Sequence, residues 1–109
     1  MRYIGAPEHP MDHDLAFLAG HTLAVYSSHG CPDCTRLDRW MQQHQVDHQK
    51  VWIDDDPTSA EKLESETGKQ AVPFILLDGK RWVRGYHREE RSRLSEAVLV
   101  SELRGALAE

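Results

Sequence analysis

The stretch Leu23-Ala24-Val25-Tyr26-Ser27-Ser28-His29-Gly30-Cys31-Pro32-Asp33-Cys34 decides the reading of this chain. Its first half is a short apolar run, of the kind buried inside a sheet. Its second half starts a helix, with Pro32 at the first helical position, where a missing N–H removes no helix hydrogen bond. Cys31 and Cys34 therefore fall where a strand gives way to a helix, and they are the only cysteines in the chain. They pair with each other or with a partner molecule. Unpaired N–H groups and the helix dipole favour a thiolate on the first sulfur. The second sulfur, three residues on, is near enough to close a small disulfide ring. A Cys-x-x-Cys in this βα setting points to dithiol–disulfide exchange.

Working outward, the spacing predicts a first strand over Thr22–Ser27 and, after the cysteines, a helix whose inner face carries Leu37, Trp40 and Met41. His48 to Ile53 reads as a second strand with Val51 and Ile53 on one face. Asp56 and Pro57 form a cap-and-proline helix start with an acidic first turn at Glu61, and Gly68 ends that helix. Val72–Leu77 and Lys80–Arg84 read as strands joined by Asp78-Gly79, a hairpin signal. Gly85 breaks the second of them. A final amphipathic helix is expected from about Glu89, with Leu94, Val98, Leu99, Leu103 and Leu107 facing inward. The order β-α-β-α-β-β-α, with a right-handed βαβ unit followed by a hairpin, predicts an α/β fold: a four-stranded mixed sheet flanked by helices. Residues 1–20, with Gly5, Pro7 and Pro10 and little periodicity, are expected to be a mobile extension containing a helical turn near Asp14–Gly20. The domain proper is expected over 21–109.

At 109 residues the chain holds one modest core. Acidic residues outnumber basic ones by 18 to 13, for a net charge of −5 without a basic block, which argues against nucleic acid as a main partner. No stretch approaches the ~20 apolar residues of a membrane span. The first fourteen residues lack the apolar region of a secretory signal, and a Cys-x-x-Cys suits a reducing compartment. The expected setting is the cytoplasm and the expected state a monomer.

Three separated features, Cys31-Pro32-Asp33-Cys34, Val72-Pro73 and Gly85-Tyr86 after the hairpin, together resemble the thioredoxin superfamily and, within it, the glutaredoxins. The resemblance covers residues 22 to about 104. It implies a thioredoxin-like, glutaredoxin-type fold and a thiol–disulfide oxidoreductase that reduces protein disulfides or glutathione mixed disulfides. It also implies a cis Pro73 across from the dithiol, presenting the Val72 backbone to a substrate peptide as an added strand would be. Gly85 and Tyr86 complete the implied substrate contacts. The pattern departs from glutathione-using members in three places. Ser28 stands where they carry a lysine, Ala71 replaces the threonine of Thr-Val-Pro, and Gly85-Tyr86-His87-Arg88-Glu89 lacks their aspartates. Gly85 followed by an aromatic and a basic residue is similar to the NrdH-type redoxins, which are glutaredoxin-shaped but reduced by thioredoxin reductase. Glutathione and thioredoxin reductase both stand as electron sources, and no tightly bound cofactor is expected.

Cys31 is the expected nucleophile and Cys34 the resolving thiol. The helix start, Arg36 and Arg39 favour the Cys31 thiolate, whereas Asp33 between the sulfurs opposes it. His29, two residues before Cys31, is a candidate for stabilising the thiolate or moving its proton near neutral pH. Two rival readings use the same residues. One is a structural disulfide, which a four-residue loop stabilises little. The other is a redox-sensing or metal-binding module, in which His29, Cys31 and Cys34 from two chains complete a zinc or iron–sulfur site. No further cysteine supports it, and no metal is assigned. Trp40, Trp52 and Trp82 read as core or sheet-face residues, and the mixed run Arg81–Arg93 as a solvated face or a dock for a reductase.

Overall fold

In the computed structural model, which describes residues 13–108, each of these patterns takes its place around one sheet. Strand β1 (Leu23–Ser27) runs into helix α1 (Pro32–Gln43), then strand β2 (Gln49–Trp52), helix α2 (Pro57–Thr67), strands β3 (Phe74–Leu77) and β4 (Arg81–Arg84), and helix α3 (Glu96–Ala108). The strand order is β2-β1-β3-β4. β1 pairs with β2 in parallel and with β3 antiparallel, opposite Val51 and Phe74 at Tyr26. β3 and β4 form the hairpin, with Ile75 opposite Val83. Asp78 and Gly79 both have positive φ, 53° and 69°, and the Lys80 N–H donates to the Leu77 carbonyl, so the turn takes the tight form that Asp-Gly favours. The Asp78 carboxylate reaches back to the Thr22 N–H (2.8 Å) and to His21 (2.7 Å), tying the turn to the start of β1.

Side chains alternate across the sheet. Leu23, Val25, Ile75, Leu77 and Val83 face Leu37, Trp40 and Met41 of α1 and Leu99 and Leu103 of α3. Tyr26, Phe74 and Leu76 face Leu63 of α2, with Val51, Ile53 and Trp82 at the margin. α2 begins as its sequence predicts: Asp56 caps it by accepting from the Ser59 N–H, Pro57 is its first residue, and Gly68 closes it at φ +74°. Glu61 lies beyond the first turn, which holds no acidic residue.

Two elements differ from the sequence-based expectation. The last helix starts at Glu96, not near Glu89. Residues 87–93 close turns of their own, with Glu90 N–H on the His87 carbonyl, Arg93 N–H on the Glu90 carbonyl, and His87 N–H on the Arg93 carbonyl. Arg93 at φ +64° takes the chain out of the helical region, and Ser95 then caps α3 through its hydroxyl and the Val98 N–H at 3.3 Å. Leu94 and Leu107 pack at the edge of the core that Leu99 and Leu103 fill.

The second concerns the segment expected as an extension. Its residues 1–12 lie outside the described residues. His13–Leu18 form a 3-10 helix, and Leu15 (1% exposed) and Leu18 (2% exposed) are inside the core beside α3. Among the described residues, no helix is long and apolar enough to cross a membrane. Truncating a buried leucine removes its contacts and leaves a cavity, so Leu18→Ala is expected to lower stability by about 2–4 kcal/mol. A urea titration checks this: the midpoint falls at an unchanged slope, whereas an unchanged midpoint would mean the segment is not docked in solution.

Candidate active site

β1 ends at Ser27, and Ser28–Gly30 turn the chain into α1. Gly30 sits at φ +71°, a conformation that a side chain would disfavour, and this turn delivers Cys31 to the helix start. Cys31 is the helix cap: its backbone is extended, and its Sγ accepts the Cys34 N–H at 3.1 Å. The two cysteines are joined as a disulfide, with Cα atoms 5.2 Å apart. Their exposure is unequal, Cys31 being half-buried and Cys34 only 4% exposed. Cys31 is thus the more accessible of the two sulfurs, and the Cys34 N–H points at it.

The loop ahead of Cys31 is held by acids from the turn after β2. The His29 N–H donates to Asp54 at 2.7 Å, and the Ser28 hydroxyl reaches both Asp54 oxygens at 3.1 Å. The His29 ring stacks on Trp52, with centroids 4.1 Å apart and planes 8° from parallel, and its Nε2 lies 3.0 Å from Asp55. The histidine singled out for thiolate tuning thus has a carboxylate and an indole as its partners. Trp52 serves as a platform for that loop. Among the described residues, no group of three or more His, Cys, Asp or Glu is placed to hold a metal ion.

Asp33 is where structure adds most to sequence. Its carboxylate receives two bonds from the Arg93 guanidinium, at 2.9 and 2.6 Å, and one from Arg36 Nη1 at 2.6 Å. Arg93, aided by the charges of Arg36 and Arg88, holds the Asp33 carboxyl below its ordinary 3.8, against the opposing pull of burial. Arg36, a candidate for tuning Cys31, is bonded to Asp33. Arg93 was not a sequence candidate, because sixty residues separate it from Asp33. The signal available was indirect: a carboxylate between two cysteines calls for a cation, and Arg88, Arg91 and Arg93 were all in the run read as a solvated face.

The opposite flank is built on Pro73, whose bond to Val72 is cis. The Gly85 N–H donates to the Pro73 carbonyl at 2.8 Å. A Cβ on Gly85 would lie 2.6 Å from Leu37 Cδ2 and 3.2 Å from Pro73 Cγ, so a side chain there would have to push α1 or Pro73 aside. Tyr86 is buried edge-on to Phe74, with Arg88 5.1 Å over its ring. Of the four expected substrate contacts, Pro73, Gly85 and Tyr86 are buried and Val72 is half-buried. The Arg81–Arg93 run is not simply solvated: Tyr86 and His87 are buried, and Arg84 pairs with Glu89 and Glu102 at 2.7 and 3.3 Å.

A strand-end dithiol, a buried cis proline and the glycine packed against it now stand together. The glutaredoxin family's sequence model matches residues 23–82, more than half of the chain. The chain belongs to the glutaredoxin family. A glutaredoxin-like protein NrdH from Lactococcus lactis subsp. cremoris (strain MG1363) is 32% identical over 56 residues, 51% of this chain and 76% of that protein. An uncharacterized glutaredoxin-like 8.6 kDa protein in a rubredoxin operon of Clostridium pasteurianum is 28% identical over 68% of this chain and 97% of its own length. Among solved structures, glutaredoxin (grx-1) of Archaeoglobus fulgidus matches with a TM-score of 0.53 and 28% identity, covering 73% of this chain and 91% of that one. Oxidized glutaredoxin 2 of Chlamydomonas reinhardtii, at 23% identity and a TM-score of 0.54 over 88% and 91% of the two chains, shares the fold. The fold is thioredoxin-like, as the three sequence features imply.

Two outcomes follow from this glutaredoxin site. Gly85→Ala forces a methyl against Leu37 and Pro73, and is expected to lower stability by about 1–3 kcal/mol, read from thermal or urea unfolding. Asp33 has a lowered folded-state pKa, so its stabilising contribution is complete above the unfolded value of 3.8 and is lost as pH falls through the lower folded value. Stability measured from about pH 5 down to pH 2 should therefore fall less steeply in Asp33→Asn than in the parent protein.

Proposed function

We propose that this glutaredoxin is a dithiol oxidoreductase in which Cys31 attacks and Cys34 resolves. The observation that carries the reading is the unequal burial of the two sulfurs at the helix start. In the forward step the Cys31 thiolate attacks one sulfur of a target disulfide. The target S–S bond breaks, a mixed disulfide forms, and the departing target thiolate takes a proton from water. Cys34 then gives up its proton and attacks the Cys31 sulfur. The target's second thiolate leaves, and the Cys31–Cys34 disulfide carries the two electrons' worth of oxidation. The backbone of Val72, beside Pro73, is the edge against which a substrate strand aligns. The cycle uses no bound cofactor, and it belongs in a reducing compartment, the cytoplasm in this reading.

The electron source in this reading is a dithiol flavoprotein of the thioredoxin reductase type rather than glutathione. Ser28, at the position where glutathione users carry a lysine, is hydrogen-bonded to Asp54, with Asp55 next to it. Two carboxylates there repel the glutathione carboxylate that a cation would hold. The likeness to the Lactococcus NrdH protein supports the same direction.

NADPH oxidation coupled to reduction of a protein disulfide tests both parts. Cys31→Ser is expected to abolish turnover, and Cys34→Ser to leave a mixed disulfide seen by non-reducing gel and mass. Turnover retained in Cys31→Ser would overturn the assignment. Thioredoxin reductase should drive the cycle at least tenfold faster than glutathione with glutathione reductase. The reverse order would return glutathione as the reductant.

A further inference from the structure

The residue between the two cysteines poses an electrostatic problem. Asp33 is the second residue of α1, inside the same first turn whose N–H groups and dipole favour the Cys31 thiolate. A carboxylate there competes with the thiolate for that field and repels it directly. The side chain of Asp33 is only 14% exposed, so water screens the repulsion poorly. Left alone, Asp33 would lower the fraction of Cys31 present as thiolate.

The loop 87–95 answers this. Arg93 grips both oxygens of Asp33 from across the site, and Arg36 holds one of them from the next turn of α1. One carboxylate against two guanidiniums leaves a net positive charge beside Cys31. Arg93 can reach because its backbone is bent to φ +64°. Its carbonyl accepts the His87 N–H at 2.8 Å, and the fully buried His87 ring accepts the Ser95 N–H through Nδ1 at 3.0 Å. A buried histidine thus braces the loop on both sides of the arginine. Two residues before this loop, the Gly85 N–H is hydrogen-bonded to the Pro73 carbonyl.

We propose that Arg93 is a positioning residue for thiol–disulfide exchange, neutralising and orienting Asp33 so that Cys31 ionises more readily than it would beside an unpaired carboxylate. The proposal rests on Cys31 being the nucleophile. A bidentate fork suits the task better than a point charge, because it fixes the carboxylate plane as well as cancelling its charge. The charged groups that face this end of α1 are Asp33 and Arg36 of α1 itself, His29, Asp54 and Asp55 on one flank, Asp38 with Lys50 in the cleft toward β2, and Arg88 and Arg93 on the loop. Of these, Arg93 makes the two-pronged contact with the group nearest the sulfurs in sequence.

The test is the pH dependence of iodoacetamide alkylation of the fully reduced protein, with peptide mapping to say which cysteine reacts, alongside thiolate absorbance at 240 nm. Arg93→Ala is expected to raise the Cys31 pKa by roughly 0.5 to 1 pH unit, a three- to tenfold loss of thiolate below the pKa. Arg93→Lys should recover part of that change, since it restores charge without the fork. Adding Asp33→Asn to Arg93→Ala should bring the pKa back to the parent value or below, because the unpaired carboxylate is gone. A merely structural role for Arg93 predicts a lower urea midpoint with the titration unmoved, and that result would overturn the proposal. Should mapping show Cys34 alkylated first, the nucleophile assignment falls and this proposal with it. Cys31 alkylated first with an unmoved pKa in Arg93→Ala overturns the role of Arg93 alone.

Discussion

Strand β1 is hydrogen-bonded along both edges, in parallel to β2 and antiparallel to β3, and the dithiol follows its end after a three-residue turn. A strand paired on both sides cannot slide or twist without breaking two ladders. Its end is therefore a firmly held base for the turn Ser28–Gly30. Because β3 is one of its partners, the same pairing that fixes Cys31 also fixes the strand that follows Pro73. The β2 partner brings Trp52 alongside Ser27, and Trp52 carries the His29 ring. Both flanks of the site are thus consequences of the two ladders of β1.

Around that point the packing is close enough to make single atoms matter. Leu37, Pro73 and Gly85 meet where one added carbon would overlap a side chain. The contact joins α1, the loop before β3 and the end of β4, three elements that come together only in the folded chain. It packs the second turn of α1 against the proline loop, a close fit that suits an exchange reaction. Three sulfurs must line up in the transition state, and a dithiol free to tilt would lose that alignment.

Charge at the site follows a different logic from charge elsewhere on the protein. The chain is net acidic, with −5 overall, yet the immediate surroundings of Asp33 are cationic through Arg36, Arg88 and Arg93. Away from it, acids hold the loop through Asp54 and Asp55. The site is therefore polarised, positive toward the 87–95 loop and negative toward the turn after β2. A partner that approaches the dithiol meets different fields on its two sides, a means of orienting it before contact.

The elements that sequence settled are those governed by neighbours in the chain. The Cys31–Cys34 spacing, the proline at the start of α1, the Asp56 cap, the Gly68 stop and the Asp78-Gly79 turn are local chemistry, and periodicity marks the core faces of β1 and α1. The four-stranded mixed sheet followed from their order. What tertiary structure decided depends on partners far away in sequence. The start of α3 moved to Glu96 because turns at 87–93 and a left-handed Arg93 end any helix begun earlier, and the signal for this, the cap at Ser95, follows a charged stretch, Glu89–Arg93, whose composition suits the exposed first turns of a helix equally well. Leu15 and Leu18 joined the core because α3 gives them a surface, which no local pattern reveals. Arg93 reached Asp33 across sixty residues, and Arg36 and His29 each found a carboxylate partner, Asp33 and Asp55. Local hydrogen bonding and side-chain period are properties of short stretches of sequence. Ion pairs and close packing are set by which surfaces the folded chain presses together, and only the three-dimensional arrangement of this protein specifies them.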